Sequence, residues 1–295
     1  MSVTVVIPTH NRPALLREAV ESALTASPPD GEVLVVDDRS EPPAVQSLDD
    51  INDPRLRGIV STEMPGASGS RNAGILEARH EIVAFLDDDD LMRPGHLTRV
   101  LDITRQTPEA AWGFSNALWR DVASGADEPE DLPLAEGFVP DVKIPRYTLA
   151  SAGRSLWCRR KALIEVGLFD LDWRIDEDAD LCLRLIFAGY RPWFSPEPGI
   201  IARTNRAPDS NTAQITERIA SDHRARAYCQ TYERHARHFP ALSRGRWFLA
   251  TRFLRRAAKD GQSALAARTV LRREPLALVL LAYLGFKTLR HYRAS

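Results

Sequence analysis

The stretch Ile82-Val83-Ala84-Phe85-Leu86-Asp87-Asp88-Asp89-Asp90 joins five apolar residues directly to four carboxylates. A short apolar run rich in β-branched and aromatic residues reads as a buried strand. Carboxylates packed at its end repel one another and raise each other's pKa. A bound divalent cation removes that cost. Hard oxygen ligands of this kind suit magnesium or manganese, above all where phosphates complete the shell. The same four residues also read as a solvated acidic turn, or as a helix start, where Asp caps well.

Upstream of this strand the pattern repeats. Val3 to Pro8 is a strand ended by proline. Arg12 to Leu24 has helical spacing, with Leu15, Leu16, Ala19, Val20, Ala23 and Leu24 on one face and Pro13 in the first turn. Glu32 to Val36 is a second strand, closed by Asp37-Asp38. Leu56 to Val60 reads as a short strand and Ser70 to Arg79 as a helix. Downstream, Pro94 to Gln106 reads as a helix, Trp112 to Trp119 as a strand and Asp176 to Ala188 as a helix with an acidic start. Strands alternating with helices predict an α/β fold with a mostly parallel sheet flanked by helices. Ligands bind such sheets at the carboxyl ends of the strands. Asp37-Asp38 and Asp87 to Asp90 are therefore expected to open onto one crevice. Residues 121–147 are acidic, contain proline and read as a long loop.

Four segments in this order resemble the family-2 inverting glycosyltransferases, GT-A fold (Rossmann-like) enzymes that use nucleotide-diphosphate sugars. They are VTVVIPTHNRPALLREAVESAL, EVLVVDDRS, GASGSRNAGILEARHEIVAFLDDDDLMRPGHL, and SLWCRRKALIEVGLFD followed by EDADLCLRLIFAGY. Together they cover roughly residues 3–205. The resemblance implies that Pro8 and Thr9 line the nucleotide base and that Asp38 bonds the base of a uridine-type donor. It implies that Arg71, after the Gly66-Ala67-Ser68-Gly69 loop, faces the donor nucleotide. In the family's DxD motif the first aspartate approaches the ribose and the last binds the metal. Here these are Asp87 and Asp89, with Asp88 between them on the donor side and Asp90 completing the acidic ending. The metal is expected to be Mg2+ or Mn2+. Asp178 corresponds to the general base. Where many relatives carry an Arg-x-His segment, this chain has Arg203-Thr204-Asn205, and Asn205 offers only a neutral amide oxygen.

Each of these residues also has a plainer reading. Asp38 could end a strand, Arg71 could make an ion pair at a helix start, and Asp178 could be a carboxylate favoured by a helix dipole. Asp176 and Asp180 read as dipole partners or solvated surface. Arg159-Arg160 could meet donor phosphates or coat an exposed face. His10 reads as a turn residue, the cysteines as packing and the tryptophans mostly as core.

Composition limits the alternatives. Hydrophobic residues make up 44% of the 295, enough for a sizeable core. The three cysteines have no metal-ligand spacing and point to a reducing compartment. The N-terminus has no basic n-region or cleavage site and does not read as a signal peptide. No GxGxxG follows the first strand, which disfavours a Rossmann oxidoreductase. No Gly-rich phosphate cradle opens the chain, which disfavours a sugar nucleotidyltransferase. The remaining alternative is a catalytically silent relative acting in binding or assembly, against which the intact Asp87, Asp89 and Asp178 stand.

The sequence therefore predicts a glycosyltransferase domain over residues 1–211 and a helical, basic extension over 212–295. It would move a sugar from a nucleotide-diphosphate donor, a UDP-sugar by preference, to a glycan or lipid-linked acceptor in surface polysaccharide biosynthesis. No nucleic-acid partner is expected. Residues 241–295 carry 12 Lys/Arg against Asp260 and Glu274, a charge of +10, which leaves −11 for residues 1–240 because the whole chain is −1. Arg244, Arg246, Arg252, Arg255, Arg256 and Lys259 are interleaved with Trp247, Phe248, Leu249, Phe253 and Leu254. That mixture predicts an amphipathic helix lying on an anionic membrane surface, or one packed on the catalytic domain with its arginines solvated. Leu276 to Phe286 would add a second shallow contact, being too short to span a bilayer. The expected location is the cytoplasm, peripherally on the inner face of the cytoplasmic membrane.

Overall fold

A computed structural model describes residues 1–141, 146, 153–173, 175–204, 221–241 and 243–274. The chain divides into two compact units, Met1–Gln214 and Ile215–Ser295.

The first unit is built on one mixed sheet. Its elements in order are β1 (Val3–Thr9), α1 (Pro13–Ala26), β2 (Glu32–Asp37), a 3-10 turn (Ala44–Leu48), β3 (Leu56–Val60), α2 (Ala67–Glu77), β4 (Ile82–Phe85), β5 (Leu91–Met92) and α3 (His96–Gln106). There follow β6 (Trp112–Asp121), β7 (Asp127–Pro129), β8 (Gly137–Phe138), β9 (Trp157–Arg159), α4 (Arg160–Glu165), α5 (Glu177–Phe187) and β10 (Trp193–Thr204). The strand order is β3-β2-β1-β4-β9-β6-β10-β5, with β7 on β6 and β8 on β10. The long pairings β1–β2, β1–β4 and β2–β3 are parallel, as predicted, and β6–β10 is parallel too. The short strands β5, β7, β8 and β9 pair antiparallel.

The apolar residues of β1, β2 and β4 are almost wholly buried, the pattern of parallel strands covered on both faces. Helix α1 turns Leu16, Ala19, Val20, Ala23 and Leu24 into that core, which is the face the spacing predicts; Leu15 stays half-buried outside it. Helix α2 packs closely because Gly74 has no Cβ; one there would lie 2.4 Å from a methyl of Val6.

Three expectations change. No strand was expected after α5, yet β10 is the longest in the sheet and runs beside β6. Pro196, Pro198 and Gly199 hide its alternation, and the structure puts them in a register break between Ser195 and Ile200. The 121–147 segment is less irregular than expected, since β7 and β8 lie within it. Arg159-Arg160 does not face donor phosphates. Strand β9 runs antiparallel to β4, with Arg159 opposite Ile82 at the amino end of β4. There Arg159 donates to Glu81 and to the carbonyls of Thr104 and Ala110, and Arg160 donates to the carbonyls of Ile75 and Leu76.

The second unit contains α6 (Ser221–His235), a 3-10 turn (Ala236–His238), α7 (Arg244–Lys259) and α8 (Ser263–Arg273). Ser243 caps α7 by accepting from the Arg246 amide. Leu249, Ala250, Phe253, Leu254 and Ala257 of α7 are buried, and Phe253 stacks on Tyr232 of α6 with ring centroids 5.9 Å apart. Helix α7 packs against α6 and α8. The apolar face of α7 is thus covered by the unit's own helices, a cover that neither of the two readings named. Its basic residues divide among the exposed Arg244, Arg255 and Lys259, the paired Arg246, on Glu274, and Arg256, on Asp260, and Arg252, whose guanidinium lies over the Tyr228 ring. Leu276 to Phe286, with Lys287, Arg290 and Arg293, lies outside the described residues. Among the described residues no helix is long and apolar enough to cross a membrane. Cys158 and Cys182 are buried, Cys229 is half-buried and all three are free.

Candidate active site

The carboxyl ends of β1, β2 and β4 meet, as the sequence predicts. Pro8 and Thr9 lie in register with Val36 and Asp37. The Asp38 amide donates to the Thr9 carbonyl at 2.8 Å and the Leu86 amide to the Val6 carbonyl at 3.1 Å. Thr9 Oγ1 then donates to Asp88 Oδ2 at 2.8 Å.

The two aspartates that end β2 divide their work because successive side chains point to opposite faces. Asp37 is fully buried and accepts from the Ser40 and Ala44 amides at 2.9 and 2.7 Å. It holds the turn after the strand. Asp38 is half-buried and accepts from the Gly66 amide through Oδ2 at 2.7 Å, while its Oδ1 is buried without a hydrogen-bond partner. A buried acceptor without a donor is costly, and an N–H from a ligand would satisfy it. His10, in the adjoining turn, contacts the Asp38 carbonyl through Nδ1 at 2.7 Å.

The four aspartates after β4 also divide. Asp87, Asp89 and Asp90 bring one oxygen each within 4.8 Å of one another. Three hard oxygen donors this close fit a magnesium or manganese ion. Asp88 lies on the β1 side, held by Thr9 and by Arg12 Nη1 at 3.1 Å. Burial and the charge of Asp89 push its carboxyl up to about 6, against the opposing pull of Arg12 and Thr9. The same Arg12 nitrogen donates to Asp89 Oδ2 at 3.1 Å. Asp90 accepts from the Arg203 amide at 3.0 Å, and Arg203 Nε donates to the Asp89 carbonyl at 2.5 Å. Strand β10 thus pins the acidic turn through Arg203, whose guanidinium also reaches Glu18. Asn205 lies outside the described residues.

Arg71 makes the ion pair that was its plainer reading. Its guanidinium donates to Asp87 Oδ1 at 2.8 Å and to Glu177 Oε1 at 2.9 Å, and sits over the Phe169 ring at 5.5 Å. The two carboxylates hold its pKa above the usual arginine value against the cost of burial. Asn72, one residue on, donates to the Phe169 carbonyl and accepts from its amide. Ser68 donates to the Trp173 carbonyl at 3.2 Å. Helix α2 thereby fastens Phe169, Trp173 and Glu177, the last of these at the start of α5, to the acidic end of β4.

Asp178 stands in the first turn of α5, half-buried, and its Oδ1 accepts from the Ala179 amide at 2.7 Å. Its Oδ2 lies over Gly153, where a Cβ would come within 1.8 Å of it. Asp178 and the β4 cluster are linked through Glu177, Arg71 and Asp87. Asp180 is neither solvated nor simply a dipole partner: it is fully buried and paired with Arg184 at 2.8 Å. Asp176 is also buried, at the left-handed position (φ 69°) that precedes the helix. The sequence reading missed Arg12 and Glu177 as parts of this site and named Arg203 only within the Arg203-Thr204-Asn205 segment. Glu177 carried a local signal, its place beside Asp178.

Two family models match the chain: Glycosyl transferase family 2 over residues 4–117 and Glycosyl transferase family group 2 over residues 82–290. Among curated relatives, the chain is similar to the putative colanic acid biosynthesis glycosyl transferase WcaA of Escherichia coli. The two are 26% identical over 256 residues, which is 82% of this chain and 84% of that protein. Among solved structures, it resembles S. aureus TarS 1-349 in complex with UDP-GlcNAc, with a TM-score of 0.67 and 18% identity over 88% of this chain and 73% of that one. It also resembles the mannosyltransferase PcManGT from Pyrobaculum calidifontis, in complex with GDP-Man and Mn2+. There the TM-score is 0.61 and the identity 20% over 99% of this chain and 82% of that one. At these identities the structural likeness establishes the GT-A fold, whereas the second family model spans well over half of the sequence. The carboxylate-rich strand ends at residues 37–38 and 87–90 thus lie in a chain that belongs to the family-2 glycosyltransferases and is a glycosyltransferase of GT-A fold.

Proposed function

We propose that the protein is a metal-dependent inverting transferase that moves a sugar from a nucleotide-diphosphate donor, a UDP-sugar by preference, to a hydroxyl of a glycan or lipid-linked acceptor. The carrying observation is the meeting of Asp87, Asp89 and Asp90 at the carboxyl end of β4, tied through Arg71 and Glu177 to the helix that bears Asp178. Asp89, with Asp87 and Asp90 beside it, would hold Mg2+ or Mn2+, which when bound offsets the charge that develops on the departing diphosphate. Asp178 is the general base: it takes the proton of the acceptor hydroxyl as that oxygen attacks the anomeric carbon, a role worth about 10²- to 10⁴-fold. One displacement inverts the configuration. Pro8, Thr9, Asp38, Arg71, Asp87 and Asp88 form the donor side. The Mn2+ in the PcManGT structure and the UDP-GlcNAc in the TarS structure support the metal and donor classes. The name of WcaA supports a place in polysaccharide biosynthesis. A screen of nucleotide sugars, read by nucleotide released in the presence of acceptor, tests the reading. A silent binding relative would release none with any donor.

The unpartnered Asp38 Oδ1 carries the base preference. Uracil offers a ring N–H to such an acceptor and cytosine does not. Calorimetry is expected to show UDP binding more tightly than CDP, with the difference reduced in Asp38→Ala. Tighter CDP binding that is unchanged in the variant would refute the assignment.

Membrane docking belongs to the same proposal, now in electrostatic form because the apolar face of α7 is used inside the unit. Exposed basic residues contribute roughly 1 kcal/mol each near an anionic surface. The full-length protein is expected to float with phosphatidylglycerol liposomes at low salt and to detach at high salt. Reversing Arg244, Arg255 and Lys259 to Glu should weaken flotation. Absence of flotation at low salt would exclude docking and leave the protein in the cytoplasm.

A further inference from the structure

Arg12 is an unusual residue to find in the acidic site. It belongs to the turn between β1 and α1 and gives that helix no side-chain cap. Its side chain is 8% exposed, beside Asp88 at 8% and Asp89 at 13%. One nitrogen, Nη1, is shared between Asp88 Oδ1 and Asp89 Oδ2. Taking a guanidinium out of water is costly unless carboxylates compensate it, and here two neighbouring carboxylates, which would otherwise repel one another, supply the compensation.

The consequence lies in what else Asp89 is asked to hold. A divalent ion on Asp89 would share that carboxylate with a fixed guanidinium, and like charges in a partly desolvated site repel more strongly than in water. A nucleotide diphosphate changes the balance, because its negative charge faces both cations. We propose that Arg12 is a resident counter-cation that positions Asp89 and holds down the affinity of the nucleotide-free enzyme for divalent metal, so that metal loads together with the donor. This rests on the reading of Asp89 as the metal ligand.

The test is Mn2+ binding to the full-length protein, read from the paramagnetic resonance signal of free Mn2+, with and without saturating UDP. The wild type should bind Mn2+ at least about tenfold more tightly with UDP than without. Arg12→Gln should bind Mn2+ without UDP about tenfold more tightly than the wild type, and its gain from UDP should shrink. Arg12→Lys, which keeps the charge, should stay near the wild-type value. A purely structural role for Arg12 predicts the opposite, since a loosened site binds metal less well. Equal or weaker Mn2+ binding by a folded Arg12→Gln overturns the inference. If that variant does not fold, a wild-type affinity for Mn2+ that UDP leaves unchanged overturns it equally. If Mn2+ does not bind even with UDP, or Asp89→Ala binds it as the wild type does, the metal reading itself fails and takes the inference with it. Mn2+ binding lost in Asp89→Ala but unaltered in Arg12→Gln removes the inference alone.

Discussion

Asp178→Asn should lower turnover by about 10²-fold or more while nucleotide binding, read by calorimetry, stays at the wild-type value. The amide keeps the size of the carboxylate, and its oxygen can still accept from the Ala179 amide, the contact that Asp178 Oδ1 makes now. What it loses is the ability to take a proton from the acceptor. Gly153→Ala provides an independent check. A Cβ at that position would come within 1.8 Å of Asp178 Oδ2, so the carboxylate must move, and a base displaced by an ångström loses much of its advantage. Both variants should therefore keep donor affinity and lose turnover. If Asp178→Asn instead abolishes nucleotide binding with turnover per bound donor unchanged, the residue belongs to the donor site and another group is the base.

Asp89→Ala is expected to abolish transfer, and excess EDTA should do the same to the wild type. The substitution removes the middle carboxylate of the Asp87, Asp89 and Asp90 cluster. The fold should survive, because Arg12 keeps Asp88 and the Arg203 guanidinium holds the Asp89 carbonyl, not its side chain. Circular dichroism and a thermal melt check that point. Asp90→Ala is a useful contrast: Asp90 accepts from the Arg203 amide in a buried setting, so its loss should cost stability as well as activity. Full turnover in excess EDTA would remove the metal from the mechanism.

Much of the scaffold is local and could be read from the chain alone. Buried parallel strands need unbroken apolar runs, and the polar residues that end them fall at the carboxyl edge where ligands gather. That is why Val3 to Pro8, Glu32 to Val36 and Ile82 to Leu86 were legible, and why Asp37-Asp38 and the aspartates at 87–90 could be placed together from the sequence. The apolar spacing of α1 and the acidic start of α5 belong to the same class of signal. Strand β10 was not legible, because Pro196, Pro198 and Gly199 interrupt its alternation at a bulge that only the pairing with β6 explains.

The partners of charged groups were decided by tertiary structure. Arg12 with Asp88, Arg71 with Glu177 and the Arg203 amide with Asp90 join positions 76, 106 and 113 residues apart, and no local pattern encodes which carboxylate a guanidinium will meet. The two readings of Arg159 and Arg160 stayed open for the same reason, since only the antiparallel course of β9 carries them to the opposite end of the sheet from the site. Helix α7 shows the matching limit for apolar surface. Periodicity specifies that Leu249, Phe253 and Leu254 share a face that must leave water, but the hydrophobic effect has no direction and accepts any apolar cover. Here the cover is the neighbouring helices α6 and α8, a choice made by packing in three dimensions.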